Sequence, residues 1–186
     1  DVVGISTPVT KWNIQVTKAK DIPQALAKAF YVAKSGRPGP VLIDITKDAQ
    51  FESVEFEYES CQSVRSYVPD NPVNEEQIKK AAELINAAKK PYVLFGQGVV
   101  LAEAQEEFRK FIEKGDLPSA WTILGISALS SHHPLNMGML GMHGNYGPNL
   151  LTNECDVLIA VGMRFDDRVT GDLSRYAKQA KVIHLE

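Results

Sequence analysis

Short, largely apolar runs alternate with amphipathic helical patterns along this chain, and this alternation constrains the fold most. The apolar runs predict strands at 40–45, 91–95, 118–122, 156–161 and 182–185. Helical patterns predict helices at 22–35, 74–88, 101–114, 148–153 and 171–177. Strands separated by helices form parallel sheets with right-handed crossovers. The sequence therefore predicts an α/β fold, a Rossmann-like parallel sheet with helices on both faces.

Two further expectations follow from the same patterns. Three of the runs, at 91–95, 156–161 and 182–185, are apolar enough that we expect neither face of these strands to meet water. Residues 123–146 are rich in Gly, His and Met and predict a loop region.

Charge and composition exclude several classes of protein. The 186 residues include 20 Lys and Arg against 23 Asp and Glu, for a net charge of -3, which argues against a dedicated nucleic-acid binder. The longest apolar stretch, 157–163, is far shorter than the ~20 residues of a membrane span. Cys61 and Cys155 match neither a metal spacing nor a dense disulfide framework, so we expect reduced thiols in a cytoplasmic protein.

The chain divides into three parts by composition. Residues 49–73 carry four closely spaced glutamates and two prolines, which favours an extended acidic linker between 1–48 and 74–186. A ligand site built from those glutamates is the weaker alternative. The first residues contain neither an initiator Met nor a signal peptide, and the last predicted strand reaches the chain end. We therefore expect a piece of a longer protein.

Ligands of open α/β sheets bind beyond the carboxyl ends of the strands, so the residues after each predicted strand are the candidate site. Gly96 and Gly98 form either a phosphate-binding turn or a tight structural turn, because Leu101 stands where a full GxGxxG motif has its third glycine. The next such segment, 122–125, fits either a cradle for a flat ligand or a plain turn. The Met-rich segment 137–144 either packs against the aromatic surface of a ligand or forms a flexible loop.

The most charged segment, 162–171, follows the predicted strand at 156–161. Its arginines suit a pyrophosphate and its aspartates suit a ribose or a ring edge, whereas a surface ion-pair network is the alternative. Glu186 at the end of the last strand suits a ribose hydroxyl. The four histidines have no metal spacing, and neither GxSxG nor a P-loop motif is present.

Three sequence strings resemble a known family. Ser35-Gly-Arg-Pro-Gly-Pro-Val41 is similar to the end of the pyrimidine-binding domain of thiamine-diphosphate enzymes. Leu140-Gly-Met-His-Gly144 and Arg164-Phe-Asp-Asp-Arg-Val-Thr-Gly171 narrow the resemblance to the acetolactate synthase (acetohydroxyacid synthase) family. The resemblance runs along the whole chain. It implies that 1–48 end the pyrimidine-binding domain and that 74–186 form an FAD-binding central domain.

The family resemblance also implies an activity. Such enzymes use thiamine diphosphate and Mg²⁺ to join pyruvate to a second pyruvate or to 2-oxobutyrate, and their FAD takes no net redox part. They are cytoplasmic, and the resemblance implies a homodimer or tetramer with a regulatory small subunit, without nucleic acid or membrane. The catalytic glutamate and the diphosphate and Mg²⁺ motif of the family lie outside these residues, so we expect no catalytic or metal-binding residue here and no activity from the chain alone.

The resemblance further implies the site residues. Those expected to contact FAD are Arg37, Gly96, Gly98, Thr122, Ile123, Leu124, Leu140, Met142, His143, Gly162, Arg164, Asp166, Val169 and Glu186. Those expected around the substrate channel are Lys47, Met142, His143, Asp167 and Arg168. The alternatives are a stand-alone nucleotide-binding or regulatory module and the central domain of a sister carboligase or pyruvate oxidase.

Overall fold

The computed structural model describes residues 1–69 and 72–185, which divide into two compact units, Asp1–Val73 and Asn74–Glu186. The units meet in sequence where the predicted linker ends. Each unit has its own parallel sheet.

The first unit is a small βαβ arrangement. Its elements are α1 (Val2–Ser6), β1 (Trp12–Val16), α2 (Ile22–Lys34), β2 (Val41–Ile45) and α3 (Lys47–Phe51). β1 and β2 pair in parallel, and α2 connects them. The sequence predicted α2 and β2 to within about one residue, whereas α1, β1 and α3 were not assigned. Because α3 occupies 47–51, the extended segment begins later than the predicted linker.

The second unit is a doubly wound sheet. Its elements are α4 (Glu75–Ala87), β3 (Pro91–Phe95), α5 (Gln97–Leu101), α6 (Gln105–Gly115), β4 (Ser119–Trp121), β5 (Asn136–Met139), α7 (Tyr146–Glu154), β6 (Val157–Val161), α8 (Asp167–Thr170) and β7 (Lys181–Leu185). The five strands lie in the order β5-β4-β3-β6-β7, and every neighbouring pair is parallel. The predicted fold class is confirmed.

Side chains alternate between the two faces of this sheet, and each face has its own core. Phe95 and its alternate neighbours on β3 and β6 pack with α6, where the Phe95 and Phe108 rings lie 4.8 Å apart, and α4 adds partly buried side chains. Tyr92, Leu94 and their counterparts on β6 pack on the opposite face, against Leu151 of α7. The sheet is therefore covered by helices on both faces.

Several predicted elements were wrong, for local reasons. A helix at 101–114 was expected, but Glu103 at φ 54 separates α5 from α6. A helix at 171–177 was expected, but both ends of that segment have positive φ, 57 at Gly171 and 43 at Ala177, and the helix lies earlier, at α8. The region predicted as a loop contains β5, in which Gly138 has φ 106.

The expectation that both faces of the strand at 182–185 are buried was also wrong. β7 pairs only with β6 among the described strands, and Ile183 is its one buried residue. Val182 and Leu185 are exposed, because this strand lies at the edge of the sheet.

Candidate functional site

The loops that follow the strands of the second unit meet at one edge of the sheet. The chain leaves β3 toward β4 and β5 on one side, whereas β6 and β7 lie on the other. Such a reversal is the topological switch point at which doubly wound folds bind ligands. We call the carboxyl edge the set of loops 96–98, 122–125, 140–144 and 162–170. Most of the predicted cofactor-binding residues lie in these four loops.

At the switch point itself, glycines bring the loops after β3 and β6 into direct contact. The Gly96 N–H donates to the Val161 carbonyl at 3.0 Å, and the Gly98 N–H donates to the Gly162 carbonyl at 2.8 Å. A Cβ on Gly96 would lie 2.5 Å from the Gly162 carbonyl oxygen, which is too close for any side chain. Of the two interpretations of Gly96 and Gly98, this geometry favours the tight structural turn. Their contact with FAD stays a prediction.

Apolar side chains are exposed at the ends of β4 and β5. Ile123 and Leu124 follow β4 and are 65% and 58% exposed, and Met142 follows β5 and is 64% exposed. We call these three residues the apolar shelf. Thr122 and Leu140 anchor the two loops through backbone hydrogen bonds to Phe95 and Trp121, of 2.9 and 3.1 Å. Exposed apolar surface at the ends of neighbouring strands is typical of a binding surface.

The segment after β6 is organised by Asp166. Its Oδ1 accepts hydrogen bonds from the Arg168 and Val169 N–H groups at 3.0 and 3.2 Å, and so caps the short helix α8. Its Oδ2 accepts from Arg164 Nε at 3.3 Å. The Arg164 side chain stays 66% exposed. Both interpretations of this segment therefore have support: an ion pair exists, and its guanidinium retains donors for an anionic ligand.

A cavity of about 270 Å³ lies between α7 and α8. It brings together four predicted site residues, Met142, Asp167, Arg168 and Val169, and is also lined by Tyr176. The Tyr176 hydroxyl is buried without a hydrogen-bond partner among the described residues, and burial raises the pKa of this phenol. Sequence reasoning did not find Tyr176, because no motif marks it.

The remaining predicted residues lie elsewhere. Arg37 and Lys47 belong to the first unit: the Arg37 carbonyl accepts from Lys11 Nζ at 2.9 Å, and Lys47 begins α3. Their expected roles stay predictions. His143 is exposed on the 140–144 loop. Glu186 lies outside the described residues, so its predicted ribose contact has no structural account here.

Residues 1–69 and 72–185 lack both a membrane-spanning helix and a metal-binding cluster. No helix in these ranges has the length and apolar character that crossing a membrane requires. No group of three or more His, Cys, Asp or Glu residues in them could hold a metal ion.

Comparison with known proteins agrees with the fold. Residues 78–186 match the model of the thiamine pyrophosphate enzyme central domain. The chain therefore belongs to the thiamine pyrophosphate enzyme family, and these residues are its central domain. A solved structure of a putative thiamin diphosphate-dependent enzyme from Mycobacterium smegmatis is similar to 99% of the chain, with a TM-score of 0.75 and 26% identity, and the chain covers 35% of it.

Within this family, the chain is similar to acetolactate synthase large subunits over its whole length. It is 45% identical to the one from Corynebacterium glutamicum and covers 30% of that protein. It is 42% identical to the isozyme 3 large subunit of Escherichia coli and covers 33% of it. The chain thus spans about a third of the length of these relatives.

Proposed function

We propose that this chain is part of an acetolactate synthase large subunit and that its second unit binds FAD at the carboxyl edge. The observation that carries the proposal is the 45% identity to an acetolactate synthase large subunit, which extends over all 186 residues. Of the two strings that narrowed the resemblance, 140–144 lies wholly at this edge and 164–171 lies there up to residue 170.

The chemistry of the edge suits a dinucleotide with a flat ring. The apolar shelf offers Ile123, Leu124 and Met142 to a ring system, where their burial would stabilise the complex. Arg164, with its side chain largely exposed, offers charge-assisted hydrogen bonds to a diphosphate. Bound FAD would supply a fixed ring surface and take no net redox part in the reaction. The chain's own residues would hold the ring at the apolar shelf and donate hydrogen bonds from Arg164 to the diphosphate.

The whole enzyme would join pyruvate to a second pyruvate or to 2-oxobutyrate in the cytoplasm, with thiamine diphosphate and Mg²⁺. Lys47, Asp167 and Arg168 would lie around its substrate channel, and a regulatory small subunit would bind a dimer or tetramer of large subunits. The acid-base and thiamine-binding groups would come from outside these residues. We therefore expect the chain alone to form no acetolactate.

Titration of the purified 186-residue chain tests the proposal. FAD, NAD⁺ and ADP are titrated separately, and binding is followed by flavin fluorescence and by calorimetry. We expect FAD to bind more tightly than ADP, because only FAD reaches the apolar shelf with a flavin ring. Equal affinity for all three would favour a general nucleotide-binding module, and absence of FAD binding would contradict the proposal.

The activity is tested in the same preparation. The chain is incubated with pyruvate, thiamine diphosphate, Mg²⁺ and FAD. Acetolactate above a blank without protein would show that the chain itself contains the catalytic groups.

A further inference from the structure

Asn149 occupies a place in α7 that its helix propensity does not explain. Asn is a poor residue for the middle of a helix, because its side chain competes for backbone hydrogen bonds. Here the carboxamide makes two hydrogen bonds to one residue outside the helix. The Gly141 N–H donates to Asn149 Oδ1 at 2.8 Å, and Asn149 Nδ2 donates to the Gly141 carbonyl at 2.9 Å. The side chain thus pairs with Gly141 as a neighbouring strand would.

Gly141 has a backbone conformation that residues with a side chain rarely adopt, and the hydrogen bonds to Asn149 select this conformation. Its φ is 95°. A Cβ at this position would also lie 2.8 Å from the Arg168 carbonyl oxygen. The loop is therefore held in a conformation that only glycine allows.

The same loop is joined to the segment after β6. The Met142 N–H donates to the Arg168 carbonyl at 2.8 Å. A continuous set of hydrogen bonds thus runs from Asn149 through Gly141 and Met142 to Arg168. It connects α7 with two of the four loops of the carboxyl edge.

We propose that Asn149 is a positioning residue that fixes the Gly141 peptide and thereby holds Met142 in place against the Arg168 carbonyl, and with it the loop that carries His143. This fixation keeps the 140–144 loop in its binding conformation before a ligand arrives. The effect on FAD rests on the proposed function, whereas the effect on the loop does not. If the loop without Asn149 is ordered about one-tenth of the time, the apparent dissociation constant rises about tenfold.

The chain offers a matched control on the same helix. Asn153 lies one turn after Asn149, and its Oδ1 accepts from the Ala177 N–H at 2.8 Å. Its loss also removes a hydrogen bond between an Asn side chain and the backbone, but at a segment that does not include the 140–144 loop. A purely structural role predicts the same behaviour for both asparagines.

The test compares wild type, Asn149→Ala and Asn153→Ala by amide hydrogen exchange without ligand and by FAD titration. We expect Asn149→Ala to speed exchange at Gly141 and Met142 and to raise the FAD dissociation constant about tenfold. Asn153→Ala should change neither. Unchanged exchange at Gly141 in folded Asn149→Ala would overturn the inference, and so would an FAD affinity equal to that of the control.

Failure of the proposed function can be distinguished from failure of the inference about Asn149. If wild type binds no FAD, that proposal fails, and the exchange rates alone decide whether Asn149 fixes the loop. If Asn149→Ala does not fold, Asn149→Asp replaces it. This variant keeps an acceptor for the Gly141 N–H and loses the donor to its carbonyl, so we expect intermediate exchange rates. Wild-type rates in Asn149→Asp would contradict the role of the Nδ2 donor.

Discussion

The backbones of Gly98 and Gly162 are in direct contact at the switch point of the sheet. The Gly98 N–H donates to the Gly162 carbonyl at 2.8 Å, and a Cβ on Gly98 would lie 2.5 Å from Gly162 Cα. Gly162 itself has φ 58. The two loops leave no room for a ligand atom between them at this depth, so a ligand of the carboxyl edge lies against their outer surface.

This contact predicts that Gly98→Ala destabilises the fold. The added methyl group must push apart two backbone segments, and overpacking of this kind costs about 1–3 kcal/mol. Urea denaturation followed by circular dichroism measures the loss. Gly147→Ala is the control, because a Cβ there meets nothing within 4 Å, and it lies in α7. We expect that variant to be unchanged or up to about 1 kcal/mol more stable. Equal losses in the two variants would contradict the contact.

The central strands could be predicted from the sequence because both of their faces are buried. Pro91–Phe95 and Val157–Val161 are continuous apolar runs, and such runs are typical of strands inside a parallel sheet. β5 was missed because its Asn136–Met139 segment contains a glycine at positive φ and has no β-branched residue. Apolar content alone also failed for β7, where position at the edge of the sheet, and not composition, decides exposure.

In the candidate site, too, some residues could be predicted from the sequence and others could not. Arg164 and Asp166 could be found because charges directly after an apolar strand are conspicuous in a sequence. Asn149 could not, because its function depends on a hydrogen bond across eight residues to a loop. Positioning residues of this kind carry no local signal, since their partners are backbone groups that are present at every residue.

Asp156 predicts a dependence of stability on pH. Its carboxylate accepts from the Lys89 and Lys90 N–H groups at 2.7 and 2.9 Å, and these backbone hydrogen bonds lower its pKa. Since the folded-state pKa lies below the ordinary value of 3.8, this stabilisation is complete above that pH and is lost as the pH falls toward the lowered pKa. We expect Asp156→Asn to be less stable than wild type at neutral pH, with a difference that shrinks in acid.

Denaturation of both proteins at pH 7 and at a pH of about 3 measures that difference. Glu83→Gln is the control, because Glu83 is an exposed carboxylate of α4 without a hydrogen bond or ion pair to the described residues. A difference between wild type and Asp156→Asn that is constant with pH would rule out the ionised carboxylate as its source.

The two cysteines should differ in reactivity. Cys155 is buried beneath the sheet, burial raises its thiol pKa to about 11, and its S–H donates to the Thr152 carbonyl at 3.2 Å. Cys61 is only partly buried. Because the thiolate is the reactive form, a thiol reagent at pH about 8 should label Cys61 quickly and Cys155 only after unfolding. Loss of the rapid labelling in Cys61→Ser would support Cys61 as the reactive thiol. Rapid labelling that persists in this variant would contradict it.

The segment before residue 60 should be the first site of proteolysis. Residues 53–60 contain no helix or strand, and Phe56 and Tyr58 are both more than half exposed. Tyr67, by contrast, donates a hydrogen bond to the Ser35 carbonyl at 3.0 Å. Brief digestion with chymotrypsin should therefore cut after Phe56 or Tyr58 before it cuts after Tyr67 or within β6. Mass spectrometry of the first products identifies the site, and an initial cut within β6 would show that the strand is not protected.

Arg164 should contribute directly to the affinity for FAD. Its guanidinium pairs with Asp166 through Nε and remains largely exposed, so it can donate further hydrogen bonds to a diphosphate. A hydrogen bond to a charged group contributes about 1.5–3 kcal/mol, which corresponds to a roughly ten- to hundredfold weaker complex for Arg164→Ala. Arg109→Ala is the matched control, because Arg109 pairs with Glu106 and Glu113 on α6, outside the carboxyl edge. Fluorescence titration of both variants with FAD shows whether the loss of affinity is specific to Arg164. Equal dissociation constants for Arg164→Ala and wild type would remove Arg164 from the binding site.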